Sequence, residues 1–407
     1  MTDILDGVIA GPESVDRRCY IDPAIYELEQ KRVFEKAWLF VAHASELGNA
    51  GDFRTTELAG QPVIAIRGVD DRIRVFFNSC RHKGTTVVGE REGTCRKLKC
   101  PYHHWTYDTC GKLISVPRVE GYGKTFQLSQ HGLVQVPRVA NFKGLIFANL
   151  DPDAPSFEDY LGPAIPYLAE VAEYDGEDLV TLGSYRYSYA ANWKLIMENT
   201  LDDYHAEYLH DYAFAQRAEL FEMGGTSGFQ EKEGARWSVD LGMHGAYDQY
   251  DDERTLKIQK RRQRRVYVGI FPGFIALYHP LWDVTGLRIV EPVSVAETNV
   301  LTYCLAPKSA THEQRKIIGE HFHFSWGPGG RAGVDDIVMF SRVQKGLHAK
   351  SVGPVLINRG MHRPDPVGGP ADDHAVRGFW GGWRRHMMDE TANAAGTVVQ
   401  ASANVGD

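Results

Sequence analysis

Two short stretches, SCRHKGTTV at residues 79–87 and CPYHHWTYDTCGKL at residues 100–113, decide how this chain is to be interpreted. Each carries one cysteine and one histidine close together, and the four residues are Cys80, His82, Cys100 and His103. Two thiolates and two imidazoles can hold one zinc ion in a tetrahedral site. They also suit a [2Fe-2S] cluster in which one iron takes the cysteines and the other takes the histidines, because each stretch then supplies one ligand to each iron.

The spacing of these residues favours the iron cluster. A Cys-x-His stretch is followed, after 17 residues, by a Cys-x-x-His stretch, and both stretches resemble the Rieske domains of oxygenases. The resemblance implies that Cys80, His82, Cys100 and His103 hold a [2Fe-2S] Rieske cluster. Histidine ligands raise the reduction potential of such a cluster above that of a cluster with four cysteines. The implied role is to accept single electrons from a ferredoxin or a reductase.

The composition excludes several other classes of protein. The chain has 407 residues, of which 43% are apolar, and this predicts substantial buried cores. A formal net charge of -8 gives no reason to expect nucleic acid or an anionic membrane as a partner. The sequence has no run of about 18 apolar residues, and its acidic start differs from a secretory signal. We therefore expect a cytoplasmic protein that acts on a small molecule.

The local sequence pattern predicts an α+β fold. Residues 1–39 predict a helical segment that opens at Pro23 and packs with the larger second domain. Residues 40–155 are short β-rich runs, which predict a small antiparallel β domain around the cluster. Residues 156–390 mix strand and helix patterns, which predict a larger α+β domain with an antiparallel sheet flanked by helices. Residues 391–407 are expected to form a tail.

A second histidine pair lies in the stretch DDYHAEYLH at residues 202–210. His205 and His210 are five residues apart, so on an ideal helix they would point about 140° away from each other. Both can reach one metal only if the helix predicted over residues 193–215 widens or ends between them. Asp202, three residues before His205, can hold the imidazole N–H of that histidine.

The second domain resembles a known iron enzyme. Asn192-Trp193-Lys194, Glu198-Asn199 and the stretch from Asp202 to His210 match, in order and spacing, the mononuclear iron segment of Rieske non-heme iron oxygenases. The resemblance spans about residues 38–347. It implies an Fe(II) held by two histidines and one carboxylate, which leaves open positions for O2 and water.

The resemblance also indicates which carboxylate completes this site. Asp335 and Asp336 both lie in GVDDIVMF, and their chemistry does not distinguish them. In the family the ligand precedes a Val-Gln-x-Gly stretch by a fixed interval, and residues 343–346 supply that stretch here. This register selects Asp336. The sequence departs from many relatives, because Asp335 stands where Glu is common and Ser341 where another Glu often lies.

The substrate is expected to be an aromatic carboxylate. The aromatic-rich residues 268–282 predict one wall of an apolar cavity. Arg288 is a single cation in the apolar run TGLRIVEP, where it can bind a substrate carboxylate or pair with an internal Asp or Glu. Asn199 is a second candidate for substrate contact. The pattern, including GFWGGWRRHM at residues 378–387, resembles the α subunits of oxygenases that act on benzoate-like compounds.

The resemblance implies a multicomponent reaction. Electrons from NAD(P)H would pass through a separate reductase or ferredoxin to the cluster, and then by way of Asp202 and His205 to the mononuclear iron. The expected reaction is cis-dihydroxylation of the aromatic ring. In the family the working cluster and iron belong to neighbouring subunits, which implies a homotrimer, or an α3β3 assembly with a small β subunit.

Two alternative functions remain open at the level of sequence. The same machinery can perform monooxygenation, either as ring monohydroxylation or as O- or N-demethylation. A protein of another class, a zinc-stabilised binding protein without catalysis, would use the Cys and His residues for structure alone.

Overall fold

The computed structural model confirms the α+β class and describes most of the chain. The described residues are 4–210, 236–250, 264–279, 284–327, 330, 333–363, 366–369 and 371–388. The helices in this part are α1 (Arg18–Ile21), α2 (Pro23–Glu29), α3 (Phe157–Leu161), α4 (Ile165–Ala172), α5 (Lys194–Thr200), α6 (Tyr204–Leu209), α7 (His312–Trp326), α8 (Gly333–Leu347) and α9 (His374–Met387).

The strands before residue 150 are β1 (Ser14–Val15), β2 (Leu39–His43), β3 (Asp52–Leu58), β4 (Gln61–Arg67), β5 (Ile73–Phe77), β6 (Glu92–Thr94), β7 (Lys97–Lys99), β8 (Thr106–Asp108), β9 (Leu113–Ser115), β10 (Arg138–Phe142) and β11 (Leu145–Asn149). The later strands are β12 (Glu173–Tyr174), β13 (Glu177–Tyr189), β14 (Arg236–Asp240), β15 (Gly245–Tyr250), β16 (Arg264–Ile270), β17 (Phe274–His279), β18 (Val284–Ser294), β19 (Glu297–Pro307), β20 (Val355–Leu356) and β21 (Val367–Gly368).

A nine-stranded antiparallel sheet forms the centre of the larger unit. Its strand order is β12-β13-β19-β18-β17-β16-β15-β14-β21. Alternate residues of β17 enter different cores, because successive side chains of a strand point to opposite faces. Ile275 and Leu277 pack with α5, α8 and α9, whereas Ala276 and Tyr278 pack with α3 and α4. The sheet is therefore covered on both faces.

Three small antiparallel sheets make up the cluster region. Their strand orders are β5-β4-β3-β6, β7-β8-β9 and β10-β11-β2. The core beside β7, β8 and β9 contains Cys80, Cys100, Trp105 and Tyr107. The two cysteine-bearing loops thus lie against one apolar core.

Both ends of the described chain pack into the core below the large sheet. Helix α2 begins at Pro23, as predicted, and Asp22 caps it by accepting a hydrogen bond from the Ala24 N–H. Val15, Tyr20 and Ile25 share a core with residues of α5, α8 and α9. Within the described residues, no helix is both long and apolar enough to cross a membrane.

Two predictions about secondary structure were wrong, and one helix was missed. The helix predicted over residues 193–215 is interrupted between α5 and α6, and residues 211–215 lie outside the described part. Helix α8 was not predicted at all. The Gly- and Pro-rich composition of residues 349–376 predicts a long loop, but the loop is shorter because α9 already begins at His374. The tail predicted at 391–407 lies outside the described residues.

Candidate metal centres

His205 and His210 converge because a helix ends between them. Helix α5 stops at Thr200, and α6 is a new helix that ends at Leu209. His210 follows with φ -100° and ψ 16°, which turns the chain out of the helical path. The two imidazole ring centroids lie 5.3 Å apart. Of the two geometries that the spacing of five allowed, helix termination is the one observed.

Asp336 of α8 completes the group. Its Oδ1 lies 3.2 Å from His210 Nε2 and 3.7 Å from His205 Nε2. One possible ligand atom from each of the three side chains lies within 4.8 Å of the other two. Asp335 instead approaches the other ring nitrogen of His210, at 3.6 Å from Nδ1, and its side chain is 41% exposed against 12% for Asp336. Asp336 is thus the carboxylate that faces both histidines.

Two further side chains hold this group in place. His205 Nδ1 lies 3.2 Å from Asp202 Oδ2, which fixes the ring although Asp202 precedes α6 instead of lying on it. Asn199 Nδ2 donates a 3.1 Å hydrogen bond to Asp336 Oδ1 and lies 3.1 Å from His205 Nε2. Asn199 therefore contacts two predicted ligands directly.

The charges in this group favour a cation at its centre. Burial alone would lower the pKa of His205, but the hydrogen bond to Asp202 and the charge of Asp336 outweigh it and raise that pKa. Burial alone would raise the pKa of Asp336, but His210 and His205 outweigh it and lower that pKa. Two imidazoles and one carboxylate are a donor set that fits iron in the divalent state.

The cluster loops bring like ligands together. Cys80 and Cys100 are buried free thiols, and burial together with a hydrogen bond to Cys80 raises the pKa of Cys100. The His82 and His103 rings lie 4.6 Å apart between centroids. Thiols that adjoin each other, beside imidazoles that adjoin each other, fit a cluster whose two irons differ in their ligands.

Comparison with known proteins gives the family. The catalytic-domain model of ring-hydroxylating α subunits matches residues 177–389, which is just over half of the chain. The Rieske [2Fe-2S] domain model matches residues 37–138. The chain belongs to the ring-hydroxylating α subunits of Rieske oxygenases. It is thus a Rieske-type ring-hydroxylating oxygenase, and the cofactors of this family are a [2Fe-2S] Rieske cluster and a mononuclear iron.

Named relatives of this oxygenase subunit match it over nearly their full lengths. The α subunit of 2-aminobenzenesulfonate 2,3-dioxygenase from Alcaligenes sp is 31% identical, covering 95% of this chain and 96% of that protein. The α subunit of toluate 1,2-dioxygenase from Pseudomonas putida is 29% identical, covering 85% and 82%. The crystal structure of naphthalene 1,2-dioxygenase from Rhodococcus sp., bound to indole, is similar with a TM-score of 0.81 at 25% identity, covering 93% and 95%.

Two residues beside the cluster loops of this oxygenase were not predicted. The Tyr107 hydroxyl lies 3.3 Å from Cys80 Sγ and accepts a 3.1 Å hydrogen bond from the Arg81 N–H. The Trp105 ring stacks on His82, with centroids 5.1 Å apart and planes 6° apart. Both residues lie in the stretch CPYHHWTYDTCGKL, within a few residues of Cys100 and His103. This closeness in sequence was the only indication that they would lie beside the predicted cluster ligands.

Arg288 lies on the face of the oxygenase sheet that packs against α5 and α8. It is 7% exposed, and it pairs in register with Ile275 on one side and Thr302 on the other. The positive charge of Arg288 helps to lower the pKa of Asp336, and it opposes the rise that burial causes in the pKa of Tyr187. Arg288 therefore lies near the predicted iron ligands. Among the described residues, Arg288 has neither an ion-pair partner nor a hydrogen-bond partner. The alternative that the sequence allowed, an ion pair between Arg288 and an internal Asp or Glu, is therefore not observed among the described residues.

Proposed function

We propose that this α subunit catalyses O2-dependent cis-dihydroxylation of an aromatic carboxylate, with electrons from NAD(P)H delivered by a separate reductase or ferredoxin. The observation that carries the proposal is the meeting of His205, His210 and Asp336 near the buried cation of Arg288. The names of two relatives support the substrate class, because toluate and 2-aminobenzenesulfonate are both benzene rings with an anionic substituent.

The proposal assigns each metal to named residues. His205, His210 and Asp336 would hold the mononuclear iron, and Cys80, His82, Cys100 and His103 would hold the Rieske cluster. When bound, the cluster supplies electrons and the iron supplies an open site for activating O2. Asp202 keeps the Nδ1–H of His205 engaged, which leaves Nε2 directed at Asp336. Asn199 orients the Asp336 carboxylate through its amide donor.

Arg288 would bind the carboxylate of the substrate. A guanidinium presents two parallel N–H donors that match the two oxygens of a carboxylate. Arg288 has no partner among the residues that the structure describes, and an unpaired guanidinium in a buried position costs free energy that a bound carboxylate would offset. Since the charge of Arg288 reaches Asp336, the ring of such a substrate would lie towards the predicted iron ligands.

The assembly is proposed from the family. We expect a homotrimer, alone or with a small β subunit as α3β3, in the cytoplasm where NAD(P)H is available. The chain is an α subunit, and both relatives described above are named as subunits of larger enzymes.

A single-turnover experiment tests the reaction. Chemically reduced protein is mixed with 18O2 and a panel of benzoates, phenols and methoxyarenes, so that no partner protein is needed. We expect a cis-diol of a benzoate in which both hydroxyl oxygens are labelled. One labelled oxygen per product, or loss of a methyl group, would show that the enzyme is a monooxygenase.

Replacing Arg288 tests the substrate class. We expect Arg288→Met to raise the KM for a benzoate by about ten- to one-hundredfold, because a charge-assisted hydrogen bond contributes roughly 1.5–3 kcal/mol. The KM for an uncharged analogue such as toluene should change little. The matched control is Arg186→Met, because Arg186 pairs with Glu291 at a more exposed position of the same sheet. An equal rise for both substrates would contradict the assignment.

A further inference from the structure

Several residues in the segments that resemble the iron oxygenases have no role as ligands. Asn192 and Glu198 precede the histidine pair, and Gln344 lies two turns beyond Asp336 in α8. Glu198 and Gln344 are both hydrogen-bonded to Tyr20 of the N-terminal segment, and Asn192 is hydrogen-bonded to Gln344. Their contacts suggest a common task.

Tyr20 joins the two helices that carry Asn199 and Asp336. Its hydroxyl donates a 2.7 Å hydrogen bond to Glu198 Oε1 in α5. Its backbone carbonyl accepts a 3.2 Å hydrogen bond from Gln344 Nε2 in α8. Tyr20 is only 1% exposed, so water does not compete for either bond.

The two residues that bond Tyr20, Glu198 and Gln344, each accept a further hydrogen bond from another part of the chain. Glu198 Oε1 also accepts a 3.0 Å hydrogen bond from Trp380 Nε1 in α9, and the Trp380 ring packs edge-on against Tyr20 at 5.6 Å. Gln344 Oε1 accepts a 3.0 Å hydrogen bond from the Asn192 N–H just before α5. We call Tyr20, Asn192, Glu198, Gln344 and Trp380 the Tyr20 network.

We infer that Tyr20 and Glu198 are positioning residues of the oxygenase site, and that the Tyr20 network fixes α5 relative to α8 so that Asn199 and His205 meet Asp336. The inference rests on the proposed ligand set. Asn199 immediately follows Glu198, so a rotation of α5 about this contact moves the Asn199 amide away from Asp336. Residues that orient metal ligands typically change metal affinity by about ten- to one-hundredfold when they are replaced.

Metal affinity is the first test. Iron-depleted protein with an intact cluster is titrated calorimetrically with Co2+. Tyr20→Phe and Glu198→Met should each weaken Co2+ binding by about tenfold or more. Glu198→Gln should stay within about threefold of the unchanged protein, because an amide oxygen can accept both hydrogen bonds. The matched control is Tyr160→Phe, which removes a buried hydroxyl that donates a 2.6 Å hydrogen bond to the Phe271 carbonyl, away from this network.

Hydrogen exchange is the second test and needs no metal. Amides of residues 194–210 and 333–347 should exchange at least about tenfold faster in Tyr20→Phe and Glu198→Met than in Glu198→Gln or Tyr160→Phe. Equal exchange and equal Co2+ affinity in all four variants would overturn the inference. If Glu198→Met does not fold, Tyr20→Phe decides, because it keeps the aromatic ring. Failure of the unchanged protein to bind Co2+ would reject the proposed ligand set, whereas the exchange data would still decide whether the network positions the helices.

Discussion

At the scale of single residues, the Tyr107 hydroxyl lies beside a predicted cluster ligand. Its oxygen accepts the Arg81 N–H and lies 3.3 Å from Cys80 Sγ, so its own hydrogen can be donated to a Cys80 thiolate that holds the cluster. Hydrogen bonds to cluster sulfur ligands stabilise the reduced, more negative state and raise the potential. The position of Tyr107 is therefore expected to tune the electron-accepting step.

Replacing Tyr107 tests this point. We expect Tyr107→Phe to lower the reduction potential by on the order of 40 mV, which corresponds to one net hydrogen bond of about 1 kcal/mol. A redox titration followed by electron paramagnetic resonance measures the change. Tyr122→Phe is the control, because that ring contacts His82 edge-on but makes no hydrogen bond to either cysteine among the described residues. An unchanged potential in Tyr107→Phe would refute the interpretation.

The two neighbouring aspartates provide a second prediction at this scale. Asp336→Ala should lose the mononuclear iron and keep the cluster, because its Oδ1 faces both histidines. Asp335→Ala should keep both metals, because its carboxylate faces the other ring nitrogen of His210. Iron and sulfide analysis of the two variants distinguishes them. Loss of the mononuclear iron from Asp335→Ala instead would reverse the assignment.

At the scale of secondary structure, the elements that could be predicted were those marked by a signal within a few residues of sequence. Pro23 marked the start of α2, and the β-rich runs became small antiparallel sheets. Helix α8 was not predicted, because polar Asp336 and Gln344 occupy buried positions at which an apolar stripe would reveal a helix. Asp336 belongs to the proposed metal site and Gln344 to the Tyr20 network, so the proposed function requires polar residues where a local pattern would need apolar ones.

The break between α5 and α6 has a tertiary cause. Leu201 lies over the backbone of β15 and β16, where a Cβ at Gly245 or Gly269 would approach its side chain within about 3.2 Å. Leu201 therefore packs against the sheet at the residue that directly follows the end of α5. Spacing within the sequence allowed a break near the histidines. Its position depended on glycines more than 40 residues away, which no local pattern reveals.

The glycines of α9 provide a prediction at the same scale. A Cβ at Gly381 would overlap the carbonyl oxygen of Gly242, so α9 packs directly on the turn before β15. We expect Gly381→Ala to destabilise the protein by about 1–3 kcal/mol through overpacking. Gly346→Ala in α8 has open space around its Cβ and should stabilise by up to about 1 kcal/mol. Thermal unfolding compares them, and equal shifts in Tm would contradict this packing.

At the scale of the whole molecule, two buried histidines connect stability to pH. The structure places His43 beside Ser45, and His244 between the Tyr160 carbonyl and the Phe271 N–H. Burial lowers the pKa of His43 to about 4 and that of His244 to about 4. The unfolded chain takes up protons on these groups below about pH 6.5, whereas the folded protein does so only near pH 4.

The contribution of these two histidines to stability should therefore be level above about pH 6.5 and fall as the pH drops towards 4, with each histidine losing roughly 3 kcal/mol. Unfolding midpoints measured across this range give the slope. His244→Gln should show a shallower slope than the unchanged protein between pH 6.5 and 4, because glutamine does not titrate. An identical slope would mean that His244 is not held neutral by burial.

The whole molecule is organised around two metal centres that the fold keeps in different units. The cluster loops pack into the core of the small sheets, whereas the histidine and aspartate group lies on helices of the nine-stranded sheet. A zinc-stabilised binding protein would need neither the facing arrangement of Asp336 nor the pairing of like ligands in the cluster loops. The two-centre organisation is thus the claim on which the proposed reaction depends.

Quantifying metal and acid-labile sulfide in the purified protein tests that claim most directly. We expect about three irons and two sulfides per chain, together with a rhombic electron paramagnetic resonance signal after reduction. A colourless protein that contains zinc, or a protein with a single metal and no sulfide, would contradict it.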